Sequence, residues 1–234
     1  MAKNKNRTEN FIADAYEQAA WQQGTLVCGI DEAGRGCFAG PVVVAAAVLK
    51  PGCVHPLLKD SKVLSEQQRN QAFAWIRDHA LFVVCVGTVE EIEAYNILQT
   101  TKNKMQQAFI NLMEQEKFLP QAVSMLLIDA VPLIIPAAYL TERLKIESFP
   151  FGESRSISIA AASIVAKVTR DKMLAELARS FPAYGLHDHK GYGTAQHCQA
   201  LTLMGSSIVH RPSFLKKFHT AAQAGVQQSM FGAL

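Results

Sequence analysis

Two acidic residues stand at the end of an otherwise apolar, strand-like run, and this feature restricts the fold more than any other. Asp31 and Glu32 close that run, and a second apolar run follows after a glycine-rich segment. Ionised carboxylates beside a core are costly unless a cation compensates them. We therefore predict two strands, 26–31 and 41–49, joined by a tight turn. Both acids can serve one site only if the first strand ends or bends there, which Gly34 permits.

Strand and helix signals alternate along the rest of the chain. Ser65 with Gln68, and Thr88 with Glu91, form capping boxes that predict helix starts, and a break near Asn96 is expected in the second helix. The expected helices span 65–79, 88–117, 157–181 and 194–204, and the further strands span 81–89, 125–129 and 144–149. This pattern predicts an α/β fold in which helices flank a mixed five-stranded sheet and a helical C-terminal region follows.

The composition is that of one compact domain, since hydrophobic residues make up 49% and charged residues 18% of the 234 positions. The longest apolar stretch contains Gly40 and Pro41 and is too short and interrupted to span a bilayer as a helix. Acids interrupt the N-terminal segment where an export signal needs an apolar run, so we expect a cytoplasmic, monomeric protein without a membrane partner. Its five cysteines form no Cys-x-x-Cys pair and fit a core in a reducing compartment.

The basic residues are concentrated in the C-terminal third. Residues 154–234 hold nine Lys and Arg against three Asp and Glu, or +6, whereas residues 1–153 hold 14 against 17, or −3. This distribution suits a polyanion that is held against an acidic site elsewhere in the molecule. A solvated basic surface that binds nothing has the same composition, so charge alone does not decide between the two.

Asp129 ends a second buried strand as Asp31 ends the first. An open α/β sheet usually carries its functional site at such strand ends. Three or four carboxylates without His or Cys partners are hard oxygen ligands, which favour Mg²⁺ or Mn²⁺ over Zn²⁺. Two such ions about 4 Å apart are the usual arrangement for hydrolysis of a phosphodiester. Any one of the acids could instead cap a turn or pair with Arg35, so the argument depends on the whole set.

Two glycine-containing loops are candidate ligand contacts. The turn 34–36, Gly-Arg-Gly, lets a backbone approach a ligand and offers a guanidinium to phosphate, although alone it is only a turn signal. The loop 190–194 sets Tyr192 beside a lysine, which suits stacking on a sugar or base, although a loop tyrosine can also anchor a turn. The spacing of His187, His189, His197 and Cys198 is not that of a closed zinc site, and we interpret them as a polar loop.

Six segments that occur in one order make the chain resemble bacterial ribonuclease HII over roughly Val27 to Phe214. They are 29–36 with 39–43, 60–62 with 64–65, 127–129, 161–171, 190–194, and 210–211 with 213–214. The resemblance implies an RNase H-like catalytic domain over 25–182. It also implies an N-terminal extension, 1–24, and a helical C-terminal substrate-binding region, 183–234, packed on the catalytic domain.

The resemblance further implies a metal-dependent endonuclease that cuts RNA–DNA hybrids and single ribonucleotides embedded in duplex DNA. Cleavage is expected on the 5′ side of the ribonucleotide, leaving a 3′-hydroxyl and a 5′-phosphate. The implied catalytic and metal-binding residues, which would hold two Mg²⁺ or Mn²⁺ ions, are Asp31, Glu32, Asp129 and Glu153. The implied substrate contacts are Gly34, Arg35, Gly36, Ser61, Lys62 and Tyr192. Among these contacts, the Gly-Arg-Gly turn would sense the 2′-hydroxyl and Tyr192 would stack on the next sugar.

The chain departs from the family pattern at the fourth carboxylate. Family members commonly read Gly-Asp-Ser where this chain reads Gly152-Glu153-Ser154, and the longer side chain puts metal preference and rate in question. Asp171 is the rival ligand, but we interpret it as part of a structural ion pair beside Arg170 on a helix. A second departure is Cys37, which stands where the family usually has proline.

Two alternatives to this enzyme stay open. One is a catalytically impaired protein that binds RNA–DNA hybrids, and the other is an RNase H-like nuclease with a different substrate preference. The C-terminal segment 227–234, with Met230 and Phe231 after two glutamines, faintly resembles a peptide that binds a sliding clamp.

Overall fold

The computed structural model describes residues 13–115 and 123–216. Its strands are β1 (Leu26–Ala33), β2 (Val42–Leu49), β3 (Ala80–Gly87), β4 (Val123–Asp129) and β5 (Lys145–Phe149). They form one sheet in the order β3-β2-β1-β4-β5. The first three strands are antiparallel neighbours, whereas β4 and β5 join parallel to β1, so the predicted mixed five-stranded sheet is confirmed.

The helices begin close to where the capping signals predicted them. They are α1 (Ala15–Gln22), α2 (Glu66–His79), α3 (Val89–Met113), α4 (Ile157–Ser180), α5 (Leu186–His189) and α6 (Ala195–Met204). Ser65 and Thr88 both complete their capping boxes, and the predicted break in α3 lies at Asn96. The helix predicted to reach residue 117 ends at Met113, because Glu114 is its C-cap. No described helix is long and apolar enough to cross a membrane.

The sheet is covered on both faces, and β2 shows how the sequence achieves this. Every residue of β2 is buried, and alternate side chains point to opposite faces. Val43 and Ala45 belong to the core that α2 and α4 cover, whereas Val44 and Ala46 belong to the core that α3 covers. Helix α4 lies so close to β1 that a Cβ at Gly29 would clash with the α4 backbone. Helix α4 therefore packs directly against the central strand β1 on one face of the sheet.

The connection between β1 and β2 is not the tight turn that the glycines predicted. Residues 34–41 form an eight-residue loop, and β1 continues two residues beyond the predicted end, to Ala33. The loop leaves the sheet because Ala39 forms an antiparallel bridge with His210, and the Arg211 N–H donates to the Phe38 carbonyl at 2.8 Å. The loop thus pairs with a distant segment, while β1 and β2 stay paired with each other up to Ala33 and Val43.

The C-terminal region is helical, as expected, and packs on this loop and on the far end of α4. A separate apolar cluster joins them, built around Ala39, Leu174, Leu186 and Leu201. Residues 212–216 add a further helical turn. The segment 227–234, in which we noted a clamp-binding pattern, lies outside the described residues.

At the other end of the chain, α1 packs beside β1 and reaches the start of α4. The Glu17 carboxylate, 1% exposed, accepts a hydrogen bond from the Ser156 hydroxyl at 2.5 Å and one from the Ser158 N–H at 3.0 Å. Ser156 is the N-cap of α4, so Glu17 satisfies donors at a helix N-terminus, where negative charge is favourable.

Candidate active site

The acidic residues meet at the carboxyl ends of the two central parallel strands. Ile30 of β1 pairs with Ile128 of β4, so Asp31 and Asp129 are the next residues on adjacent strands. Glu32 remains in β1, opposite Val44 of β2. The predicted meeting of acids at one edge of the sheet is therefore present, although β1 does not end at Asp31.

Asp31 is buried, with 5% of its surface exposed. Its side chain is directed at α4, where Ser163 lies within hydrogen-bonding reach, and its Oδ1 accepts from the Glu32 N–H at 2.7 Å. Burial raises the pKa of Asp31 well above its usual value, and the carboxylates of Glu32 and Asp129 raise it further. A charge of this kind is stable only beside a cation.

Asp129 and Glu153 are joined through the turn that follows β5. The Gly152 N–H donates to Asp129 Oδ1 at 2.8 Å, which fixes the 152–154 turn against the end of β4. Glu153 is 5% exposed, and its pKa is raised by burial and by Asp129. The turn thus places the Glu153 carboxylate near Asp129, at the same end of the sheet.

The donor set fits a divalent cation. Glu32 Oε2 and Glu153 Oε2 are buried and have no hydrogen-bond partner, and a buried polar atom without a partner is costly. Carboxylate oxygens are the ligands that Mg²⁺ and Mn²⁺ prefer. Across residues 13–115 and 123–216, however, no three or more His, Cys, Asp or Glu side chains are arranged so that they could hold a metal ion. Binding of one ion by three or more of these side chains would therefore require side-chain rotation.

Protein cations lie beside two of these acids. Arg35 Nη1 lies 3.1 Å from Glu32 Oε1, and Lys62 Nζ lies 3.8 Å from Glu153 Oε1. Burial raises the pKa of Glu32, whereas Arg35 lowers it. Partial burial would lower the pKa of Lys62, but the surrounding acids raise it above its usual value. The Lys62 ammonium is therefore charged at neutral pH.

Ser61 and Lys62, which were predicted together, differ in exposure. The Lys62 side chain is 76% exposed. Ser61 is buried, and its hydroxyl lies 2.9 Å from the Ser163 hydroxyl of α4. Arg69 donates to the Ser61 carbonyl at 3.1 Å. Ser61 thus connects the loop that carries Lys62 to α4, whereas most of the Lys62 side chain is exposed to solvent.

The Gly-Arg-Gly turn is held by two buried arginines. A Cβ at Gly34, whose φ is +97°, would clash with the Arg170 guanidinium. Arg170 donates to the carbonyls of Pro41 (2.9 Å), Ala39 (3.0 Å) and Lys190 (2.9 Å). Arg211 donates to the carbonyls of Gly40 and Arg35 at 2.9 and 3.1 Å. The sequence analysis did not predict that either arginine holds these loops, although both lie in segments of the resemblance.

Tyr192 lies beside this turn, in a loop with unusual backbone geometry. Lys190 and Gly191 both have positive φ, and the Gly191 carbonyl accepts from the N–H groups of Phe38 and Ala39. The Tyr192 side chain is 44% exposed, and Lys167 Nζ lies 5.9 Å from the ring centroid. The structure therefore brings the tyrosine loop and the Gly-Arg-Gly loop together as one surface.

The structure also shows the partners of Asp171 and the exposure of the histidines. Asp171 forms an ion pair on α4, as expected, but with Lys167 at 2.8 Å and Arg69 at 4.0 Å rather than with Arg170. The expectation of Arg170 as its partner was wrong, because that guanidinium is committed to three carbonyls. His189 and His197 are buried rather than part of a polar loop, whereas His187 is exposed.

Solved structures show the class to which this fold belongs. The chain superposes on the ribonuclease H2 of Pyrococcus horikoshii with a TM-score of 0.64 and 24% identity, covering 81% of this chain and 93% of that one. It superposes on Bst-RNase HIII in complex with Mn²⁺ with a TM-score of 0.65 and 20% identity, covering 88% and 72%. The chain therefore has the RNase H-like fold.

The family follows from the sequence matches. The family model described as Ribonuclease HII matches residues 28–217. A ribonuclease HII of Acholeplasma laidlawii is 42% identical over 207 residues, which cover 86% of this chain and 93% of that protein. This chain belongs to the ribonuclease HII family, whose members are hydrolytic endonucleases of the RNase H class and use divalent metal ions.

Proposed function

We propose that the protein hydrolyses the phosphodiester on the 5′ side of ribonucleotides, in RNA–DNA hybrids and at single ribonucleotides embedded in duplex DNA. The products would be a 3′-hydroxyl and a 5′-phosphate. The observation that carries this proposal is the position of four carboxylates at one edge of the sheet, next to a joined Gly-Arg-Gly and tyrosine surface. Membership of the ribonuclease HII family supports the same reaction.

Asp31, Glu32, Asp129 and Glu153 would hold two Mg²⁺ or Mn²⁺ ions. When bound, the ions would supply activation of a water molecule and stabilisation of the leaving oxygen. The protein contributes the buried acids, two of which keep an unpaired oxygen, and the α4 and β5 contacts that hold them. A glutamate as the fourth ligand keeps the charge of the set.

Recognition of the ribonucleotide would come from the surface beside the acids. Gly36 has open space around its Cα, and Gly34 lies against Arg170, so a sugar can approach the backbone between them. Backbone groups of this turn would read the 2′-hydroxyl, by which a protein tells RNA from DNA. Arg35 and Lys62 would contact phosphates, Ser61 would hold the Lys62 loop in place, and Tyr192 would stack on the following sugar.

The test is cleavage of a DNA duplex that contains one ribonucleotide, beside the same all-DNA duplex, with Mg²⁺, with Mn²⁺ and with chelator. We expect metal-dependent cutting confined to the 5′ side of the ribonucleotide. Asp31→Asn and Asp129→Asn should each abolish cutting and leave binding largely intact, because they remove a charged ligand and no phosphate contact.

Asp188→Asn is the matched control. Asp188 is exposed on α5, so this variant should cut as fast as the wild type. Cutting of the all-DNA duplex would instead favour a nuclease with another preference. Tight binding of the hybrid without any metal-dependent cutting would favour a catalytically impaired binding protein.

A further inference from the structure

Three histidines outside the acidic site surround the main chain of the tyrosine loop. His189, His197 and His210 are all buried, and the His189 and His197 rings stack with centroids 4.3 Å apart. His197 Nε2 lies 3.1 Å from His210 Nε2, and His197 Nδ1 lies 2.9 Å from the Tyr192 carbonyl oxygen. The chain of contacts therefore ends on the residue that would stack on the substrate.

The backbone fixes which nitrogen of each ring carries the proton. The Ser207 N–H donates to His210 Nδ1 at 3.0 Å, so that nitrogen is an acceptor and the His210 proton is on Nε2. His210 Nε2 then donates to His197 Nε2, which places the His197 proton on Nδ1. From there His197 donates to the Tyr192 carbonyl. The hydrogen bonds therefore all run in one direction, from the Ser207 N–H through His210 and His197 to the Tyr192 carbonyl.

Both rings are neutral in this arrangement. Burial lowers the pKa of His197, and burial together with the neighbouring histidines lowers the pKa of His210 to about 4. The third ring has its own satisfied tautomer, since the Gly191 N–H donates to His189 Nδ1 at 3.2 Å and His189 Nε2 lies 2.7 Å from the Tyr184 carbonyl oxygen. The loop is therefore bound on both sides of Gly191 by uncharged imidazoles.

Two side chains contact the Tyr192 side chain: Cys37 hydrogen-bonds with its hydroxyl, and Lys167 Nζ lies 5.9 Å from the ring centroid. Within the described ranges no aromatic ring packs on it, and the residue is 44% exposed. Its placement therefore also depends on its main chain, which follows two residues in the left-handed region. Small displacements of a group that orients a substrate can change rates by about a hundredfold.

We propose that His197 and His210 are positioning residues that hold the Tyr192 carbonyl, and through it the Tyr192 ring, at the distance from the acidic site that recognition of an isolated ribonucleotide requires. This inference rests on the proposed function. The pair acts through Tyr192 and touches neither substrate nor metal. A long hybrid offers many ribonucleotides and backbone contacts, so its cleavage depends less on this placement than cleavage at a single ribonucleotide.

Paired substitutions test the proposal because asparagine and glutamine place their amide at different ring positions. At position 197, Asn keeps a donor where Nδ1 stands, whereas Gln moves the donor to the Nε2 position and leaves the Tyr192 carbonyl without it. At position 210 the order reverses, since Gln keeps the donor to His197 and Asn does not. The readout is the rate on a single-ribonucleotide duplex divided by the rate on a long hybrid.

We expect His197→Gln and His210→Asn to lower this ratio about tenfold, with KM for the single-ribonucleotide duplex changing less than kcat. His197→Asn and His210→Gln should stay within about threefold of the wild type. His187→Gln and His187→Asn are matched controls on the exposed side of α5. Far-ultraviolet circular dichroism and urea midpoints show which variants are folded.

Equal ratios in all folded variants would overturn the proposal, as would a loss that follows side-chain size rather than the crossed pattern. ¹⁵N spectra of the histidine rings provide a second readout that needs no turnover. The proposal expects the proton on Nδ1 of His197 and on Nε2 of His210, and the reverse tautomers would overturn it. A wild type that cuts neither substrate would reject the proposed function, and the positioning inference would fail with it.

Discussion

Arg170 has no exposed surface, yet its charge faces carbonyl oxygens rather than a carboxylate. Its planar guanidinium donates in a fixed fork, so one side chain can tie the β1–β2 loop to the tyrosine loop. Hydrogen bonds to charged groups each contribute about 1.5–3 kcal/mol. One residue of α4 therefore helps to position both loops.

Arg170→Lys should lower the free energy of unfolding by about 2–4 kcal/mol, because an ammonium cannot reach all three carbonyls. Urea denaturation measures the change. Arg179→Lys on the same helix is the control, since that side chain is 78% exposed and pairs with Glu176, and it should change stability by less than about 0.5 kcal/mol. Equal effects of the two substitutions would show that the carbonyl contacts contribute nothing.

At the scale of the element, α3 contains the largest local departure from regular geometry. Asn96 has φ 64° and ψ 163°, a region that essentially only glycine occupies. Its side chain restarts the helix, since Asn96 Oδ1 accepts from the Gln99 N–H at 3.0 Å. The break lets the two halves of α3 take different directions at the end of the sheet that carries the acids.

Asn96→Gly should raise the free energy of unfolding by about 1 kcal/mol, because relief of backbone strain exceeds the few tenths lost when glycine replaces an N-cap asparagine. Thermal and urea unfolding both measure this. Asn103→Gly, at an exposed position in the regular part of α3, should have the opposite sign, at about 0.5 kcal/mol. A destabilised Asn96→Gly would mean that Asn96 is not strained.

Elements could be predicted from the sequence wherever the signal is local. The caps at Ser65 and Thr88 and the break at Asn96 are readable because each involves residues three positions apart. The loop 34–41 was misread as a tight turn because its partner, His210, lies about 170 positions further along the chain. Helix α1 was missed, since it is short and has no capping hydrogen bond from its N-cap side chain.

For the site, too, only signals carried by residues close together in the sequence could be predicted. An acid that follows an apolar run is visible in the sequence itself, so the proximity of Asp31 and Asp129 at one end of the sheet could be predicted. The sequence around Arg170 and Arg211 does not show that they donate to carbonyls. The sequence around the three histidines does not show that their rings contact one another. Those roles depend on contacts between segments far apart, and only the folded molecule brings them together.

For the whole molecule, the buried acids oppose folding at neutral pH. The pKa of Asp31 is raised by burial and by its acidic neighbours, so the folded state binds this proton more tightly than the unfolded chain does. The free energy of unfolding therefore falls as pH rises through the unfolded and then the folded pKa. A site prepared for cations is in this way less stable without them.

In chelator at pH 7.5, Asp31→Asn should raise the free energy of unfolding by at least about 1 kcal/mol, since it removes that buried charge. Added Mn²⁺ should stabilise the wild type, by about 2.7 kcal/mol at 100 times its dissociation constant, and the variant much less. Asp188→Asn should match the wild type in both conditions. A variant that is less stable than the wild type in chelator would show that the charge is already compensated within the protein.

The contact of Glu17 with Ser156 and Ser158 has a practical consequence for anyone who shortens the gene. A clone that starts at residue 25 would encode the whole sheet and all four acids of the candidate site, but it would remove the carboxylate that accepts from the first turn of α4. The N-cap of that helix, Ser156, lies three residues after Glu153. Trimming for crystals or spectra should therefore stop ahead of α1, at Asp14 or earlier.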